Sequence, residues 1–122
     1  MKRILVVDDE PAITRLIKLN LEATGKFEVH AENRGAQALE RARACQPDLI
    51  LLDIMMPDLL GSDVAAQLQA DPELHDVKIV FLTAMLKKNE MPDSKGEIGG
   101  QHIVAKPVST EDLITVIETV IG

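Results

Sequence analysis

Leu49-Ile50-Leu51-Leu52-Asp53 constrains the fold of this chain more than any other stretch, because four consecutive large aliphatic residues run into a single carboxylate. A segment apolar at every position, instead of every second one, is a strand covered on both faces, and such strands belong to parallel sheets with helices on either side. Pro57 and Gly61 stop the strand, so Asp53 is expected at the accessible mouth of a loop on a rigid base. That carboxyl edge is where open α/β sheets keep their chemistry. An Asp so placed serves as a nucleophile, a metal ligand or a helix cap, and taken alone it favours the cap.

Its partners come from the other apolar runs. Ile4-Leu5-Val6-Val7 ends in Asp8-Asp9-Glu10-Pro11, and Pro11 suits the first turn of a helix whose positive end the acidic residues face. Ile13, Leu16, Ile17 and Leu21 then recur at helical spacing up to Gly25. Phe27 to Ala31 gives a short edge-like strand, followed by a small-residue helix marked by Ala36, Ala38, Leu39 and Ala42 that ends before Pro47. After the strand carrying Asp53, Val64, Ala65 and Leu68 mark a third helix, terminated at Asp71-Pro72. Val77 to Leu82 is another apolar strand, ending in Thr83-Ala84.

From Met85 to Gln101 the periodicity fails among Pro92, Gly96, Gly99 and Gly100, so a helix there is expected to be short or distorted. Ile103-Val104-Ala105 is the last strand, closed by Lys106-Pro107. Ser109 or Thr110 then caps a final helix with Glu111 and Asp112 in its first turn. That helix is apolar on more than one face, a surplus suited either to covering the sheet or to meeting a partner. Five strands alternating with helical segments predict one doubly wound parallel sheet, with the ends carrying Asp9, Asp53, Thr83 and Lys106 on one edge.

Composition narrows the functions open to such a sheet. The 122 residues fit a single domain, expected to span 1–122, and the core must be aliphatic, since only 2% of residues are aromatic and Trp and Tyr are absent. A net charge of −7 argues against binding nucleic acid, which takes a basic face, and suits a cation or a basic partner. The one cysteine, Cys45, excludes an internal disulfide and reads as a small apolar residue near a helix end. No run is long enough for a membrane span, so a cytoplasmic location is expected. His30, His75 and His102 lack metal-ligand spacing and read as surface or edge residues. Met55 and Met56 read as core and loop packing, and Lys87-Lys88 as a solvated loop.

Asp8, Asp9 and Asp53 packed closely repel one another, so either a pKa rises or a cation enters. Magnesium suits such a site, because it takes one or two carboxylates and also accepts phosphate oxygens. With the metal on Asp9 and Asp53, an Asp53 oxygen could attack a phosphoryl group, while Thr83 and Lys106 contact the remaining phosphoryl oxygens. The product would be an acyl phosphate on Asp53. Singly, Asp8 and Asp9 read equally well as caps of the helix at Pro11, Thr83 as a strand residue and Lys106-Pro107 as a turn.

Val6-Val7-Asp8-Asp9-Glu10, Asp53-Ile54-Met55-Met56-Pro57 with Gly61, Thr83-Ala84 and Lys106-Pro107 together resemble the response regulator receiver domain along the whole chain. The resemblance implies a flavodoxin-like (βα)5 fold with strand order 2-1-3-4-5. It implies two-component phosphorelay signalling, in which Asp53 takes a phosphoryl group from a sensor histidine kinase or phosphotransfer protein and partner binding changes. It further implies Mg2+ on Asp9, Asp53 and the main-chain carbonyl of Met55, with Asp8 acting mainly through water. Thr83 and Lys106 would sense the phosphoryl group, and the Lys106-Pro107 peptide would be cis. The partners implied are that kinase or phosphotransfer protein and an output domain or downstream protein, with no nucleic acid or membrane bound directly and a homodimer compatible. The domain would catalyse only its own phosphoryl transfer and dephosphorylation, without turning over a diffusible substrate.

Three positions depart from the family pattern. Ile103 stands where an aromatic residue often rotates inward, Leu60 stands where Asp or Asn often precedes the glycine, and residues 85–101 are rich in Pro and Gly. These leave an intact phosphorylation site beside an unusual output face. A receiver-like interaction domain acting without phosphorylation is the alternative. A magnesium phosphatase fits less well, because its nucleophile follows the first strand in an Asp-x-Asp pattern.

Overall fold

The computed structural model of the chain describes residues 1–83, 97–98, 101–105 and 109–121. Each apolar run becomes a strand: β1 (Lys2–Val7), β2 (Phe27–Glu32), β3 (Leu49–Asp53) and β4 (Lys78–Thr83) alternate with α1 (Pro11–Glu22), α2 (Ala38–Cys45) and α3 (Gly61–Ala70). A 3-10 turn at Gly35–Gln37 leads into α2, and a two-residue strand β5 (Glu97–Ile98), then β6 (Gln101–Ala105) and α4 (Thr110–Ile121), complete the described elements. The five longer strands are parallel and ordered β2-β1-β3-β4-β6, which is the 2-1-3-4-5 order of a flavodoxin-like sheet. β5 adds a short antiparallel edge to β6. Nothing in the apolar pattern marks that edge; the rest of residues 85–100, with Lys87-Lys88, lies outside the described residues.

Alternation along the strands divides the interior into two cores. Leu5, Val7, Ile50, Leu52, Ile79, Phe81 and Ile103 face one side, where Ala38, Ala42 and Cys45 of α2 and Val64, Ala65 and Leu68 of α3 cover them. Ile4, Val6, Leu49, Leu51, Val80 and Leu82 face the other, against Ile17 and Leu21 of α1 and Leu113 and Ile117 of α4. Small residues on α2 and α3 let those helices approach the sheet closely. Each fully buried Leu or Ile contributes about 1.5–3 kcal/mol, so the central strands anchor the fold. Cys45 ends α2 as a buried free thiol, whose pKa burial pushes up.

The helix boundaries follow local chemistry. Pro11 occupies the first turn of α1, and the Oγ of Ser109 accepts the amide N–H of Asp112 at 3.1 Å to cap α4. Gln46 ends α2 in the left-handed region, with φ of 50°. On α4, Ile114, Val116, Val120 and Ile121 are partly buried against the core, so much of its apolar surplus covers the sheet.

On α1 the buried stripe is Thr14, Ile17 and Leu21, while Leu16, expected inside, is 54% exposed. Thr14 can be buried because its hydroxyl donates to the Pro11 carbonyl at 3.1 Å and accepts from the Asn33 side chain at 3.0 Å.

β2 is one edge of the sheet, and α1 seals its middle. Lys18 Nζ donates to the Val29 carbonyl at 2.8 Å, Glu22 Oε2 accepts the Val29 N–H at 3.1 Å, and the two side chains pair at 3.6 Å. At the amino edge, Arg3 reaches three neighbours. Its amide N–H donates to Asp48 at 2.8 Å, its guanidinium donates to the Cys45 carbonyl at 3.0 Å, and the same guanidinium pairs with Glu28 at 3.1 Å.

Candidate functional site

At the carboxyl edge, β1 delivers Asp8 fully buried and Asp9 half-buried, and β3 delivers Asp53 at 4% exposure. One carboxylate oxygen from each lies within 4.8 Å of the others. The two central strands are neighbours in register, so residues 45 positions apart in sequence meet because β1 and β3 end together. Asp53 is not accessible as expected. The chain after it folds back, Met55 pairs antiparallel with Leu60, and the Gly61 N–H donates to the Ile54 carbonyl at 2.7 Å. Asp53 is thus buried at the end of β3 and does not stand out at a loop mouth.

The loop 54–60 is held from both sides. The Ile54 N–H donates to the Leu82 carbonyl at 3.0 Å, prolonging the sheet ladder, and the Met55 N–H lies 3.4 Å from Asp53 Oδ1. Met56 is buried in the core as expected. Met55 differs: its side chain is 51% exposed, beside Leu60 at 46%, because the hairpin turns it outward. Asp58, which no motif marked, accepts the N–H groups of Gly35 at 3.3 Å and Ala36 at 2.9 Å, and the bond from Ala36 is the main reason its carboxyl is held below the usual range. A carboxylate one residue after a proline, facing a helix start, is a signal visible only once the two loops are adjacent.

Asp8 and Asp9 do not cap α1. Glu10 is the residue preceding the helix, and it makes no side-chain cap bond. Asp8 Oδ1 instead accepts the Glu10 N–H at 3.0 Å, the Asp8 N–H donates to the Glu32 carbonyl at 3.1 Å, and Asn33 Nδ2 donates to the Asp8 carbonyl at 2.8 Å. Asn33 and Thr14 carry no motif and were not foreseen at the site.

Thr83 ends β4, one residue past Leu82, which pairs with Asp53, and it pairs in register with Ala105 at the end of β6. Lys106 follows Ala105 in sequence; it and the Lys106-Pro107 peptide lie outside the described residues. His30 contacts Glu28 at 2.8 Å and His75 the Pro72 carbonyl at 2.9 Å, so both are occupied in local polar pairs away from the acidic cluster.

A doubly wound parallel sheet with three converging acidic side chains at its carboxyl edge defines an α/β domain suited to a hard cation and a phosphoryl group. A family model described as the response regulator receiver domain matches residues 4–118. The chain is 31% identical over 122 residues to the polar-differentiation response regulator DivK of Brucella anthropi, covering 99% of this chain and 97% of that one. It is 39% identical over 113 residues to the alkaline phosphatase synthesis transcriptional regulatory protein PhoP of Bacillus subtilis, covering 92% of this chain and 45% of the relative. The chain spans about half the length of that relative and of others like it. The chemotaxis protein CheY4 of Vibrio cholerae shares the fold at a TM-score of 0.84 over 98% of both chains, with 24% identity. The chain belongs to the response regulator receiver domain family, whose role is phosphorylation-dependent signalling in two-component systems and whose members bind Mg2+ at an acidic pocket. Among the described residues no helix is long and apolar enough to cross a membrane.

Proposed function

We propose that residues 1–122 form one receiver domain in which Asp53 accepts a phosphoryl group. The observation that carries this is the meeting of Asp8, Asp9 and Asp53 within 4.8 Å at the carboxyl edge. An all-oxygen set of carboxylates fits Mg2+ by chemistry and charge. Asp9, Asp53 and the main-chain carbonyl of Met55 would hold the ion, with Asp8 acting mainly through water. When bound, Mg2+ neutralises charge shared by the carboxylates and the phosphoryl oxygens.

An Asp53 carboxylate oxygen supplies the electron pair for the new O–P bond. The P–N bond of the donor phosphohistidine breaks, and its electron pair leaves with the imidazole nitrogen. Burial of Asp53 limits the water that reaches the acyl phosphate. Thr83 and Lys106 contact the remaining phosphoryl oxygens. Transfer and later hydrolysis are then the only chemistry performed, and the output is a change of partner.

The donor in this reading is a sensor histidine kinase or phosphotransfer protein, and the recipient an output domain or downstream protein. Neither nucleic acid nor membrane is bound directly, a homodimer is compatible, and the setting is cytoplasmic. Ile103, buried in the core at 5% exposure, supplies no aromatic ring to turn inward, so the signal leaves by another rearrangement. The test is intact mass after incubation with acetyl phosphate and Mg2+. One alkali-labile adduct on wild type and none on Asp53→Asn is expected. An adduct on neither protein would transfer support to an interaction domain that works without phosphorylation.

A further inference from the structure

We propose that Asn33, on the loop after the edge strand β2, is a positioning residue for the acidic site. Its Nδ2 donates to the main-chain carbonyl of Asp8 at 2.8 Å and to Thr14 Oγ1 at 3.0 Å. The two acceptors lie on either side of the turn that carries Asp9 and Glu10 from β1 into α1. Thr14 Oγ1 in turn donates to the Pro11 carbonyl at 3.1 Å. One amide group therefore braces both ends of the acidic turn.

The Asp8 carbonyl belongs to the same planar peptide as the Asp9 nitrogen. Fixing that oxygen fixes the plane, and with it the direction in which Asp9 leaves Asp8. Asp9 would meet the ion directly and the buried Asp8 through water, so the peptide between the two residues sets the spacing of their carboxylates. The Asp8 N–H, bonded to the Glu32 carbonyl at 3.1 Å, holds only the other side of Asp8. Asp8 Oδ1 accepts the Glu10 N–H at 3.0 Å and so holds the turn from the side-chain end, and Asn33 holds the carbonyl of the 8–9 peptide itself. Groups that orient ligands from behind in this way typically change metal affinity by about 10–100-fold when removed.

This inference rests on the Mg2+ site proposed above, and the experiment separates the two. Mg2+ dissociation constants are measured by calorimetry for wild type, Asp9→Asn, Asn33→Ala, Thr14→Val and the Asn33→Ala/Thr14→Val double variant, with thermal melts to establish that each is folded. Asn33→Ala is expected to weaken Mg2+ by about tenfold. Thr14→Val should weaken it less, and the double variant should match Asn33→Ala, since Thr14 reaches the site through Asn33. A part that was merely structural would lower the melting temperature and leave Mg2+ affinity alone. Affinity within about twofold of wild type in folded Asn33→Ala overturns the proposal; if that variant does not fold, an unchanged affinity in Thr14→Val overturns it instead. Failure of wild type to bind, or full binding by Asp9→Asn, overturns the metal site and this inference together.

Discussion

Gly61 sits so close behind Asp53 that a Cβ added to it would lie 2.4 Å from the Asp53 carbonyl oxygen and 2.8 Å from Ile54 Cα. No side chain fits there without moving the backbone that carries the candidate phospho-acceptor. Gly61→Ala is therefore expected to cost about 1–3 kcal/mol, as overpacking does. Because the displaced atoms belong to Asp53, phosphoryl uptake should fall as well. Denaturant unfolding and the rate of adduct formation check the two effects separately, and normal uptake in a destabilised Gly61→Ala would show that the loop absorbs the strain.

Asp71 gives the fold an acid-sensitive joint. Its side chain is 2% exposed, accepts the Glu73 N–H at 2.8 Å and is paired by the Arg43 guanidinium, whose Nε lies 2.7 Å away. The bond from Glu73 is the largest cause holding its carboxyl below the usual value, with Arg43 adding to it. A depressed folded-state pKa means that the stabilisation is present above the unfolded carboxylate pKa and is lost as pH falls through the folded one. Melting temperature should therefore drop on acidification below the ordinary carboxylate range. Arg43→Met should make that drop smaller and complete at higher pH, because the folded-state pKa moves back towards the unfolded one, and identical profiles would remove Arg43 from the account.

The contrast between the two faces of α1 and α4 is quantitative. Ile117 is fully buried, whereas Leu19 is 66% exposed. Ile117→Ala should cost about 2–5 kcal/mol through lost burial and a residual cavity, and Leu19→Ala should stay within about 0.5 kcal/mol. Chemical denaturation of the two variants measures both.

Lys18 and Glu22 occupy backbone groups of Val29 that a further strand would otherwise use. An uncovered edge is a template for pairing with another chain. The double variant Lys18→Ala/Glu22→Ala is expected to form concentration-dependent dimers or larger species by light scattering, while each single variant stays closer to wild type. A double variant with wild-type mass at high concentration would mean that water protects the edge adequately.

Much of this architecture was legible because burial on both faces leaves an unmistakable mark. Leu49 to Leu52 and Ile4 to Val7 could be little else than central parallel strands, and the carboxylates closing them named the edge where chemistry would gather. Leu16 misled because periodicity records apolar residues only, and the buried place was taken by Thr14, whose hydroxyl is satisfied by Pro11 and Asn33. Accessibility of Asp53 was misjudged because the fold-back of residues 54–60 depends on a contact between Gly61 and Ile54 that strand pattern does not encode. Asn33 and Asp58 went unnoticed for a related reason: each acts across a gap between loops more than twenty residues apart, so neither carries a local signature.

Arg3 touches Asp48, Glu28 and the Cys45 carbonyl at the end of the sheet far from the carboxylates. One residue thereby ties the beginning of β1 to its surroundings, its amide N–H to the entry to β3 and its guanidinium to the edge strand and the end of α2. A phosphoryl group on Asp53, the acceptor proposed above, would act at the opposite end of those same strands. Displacement is then expected in the loops beyond the carboxyl edge, with the pinned end of the sheet serving as an anvil for the movement that phosphorylation starts.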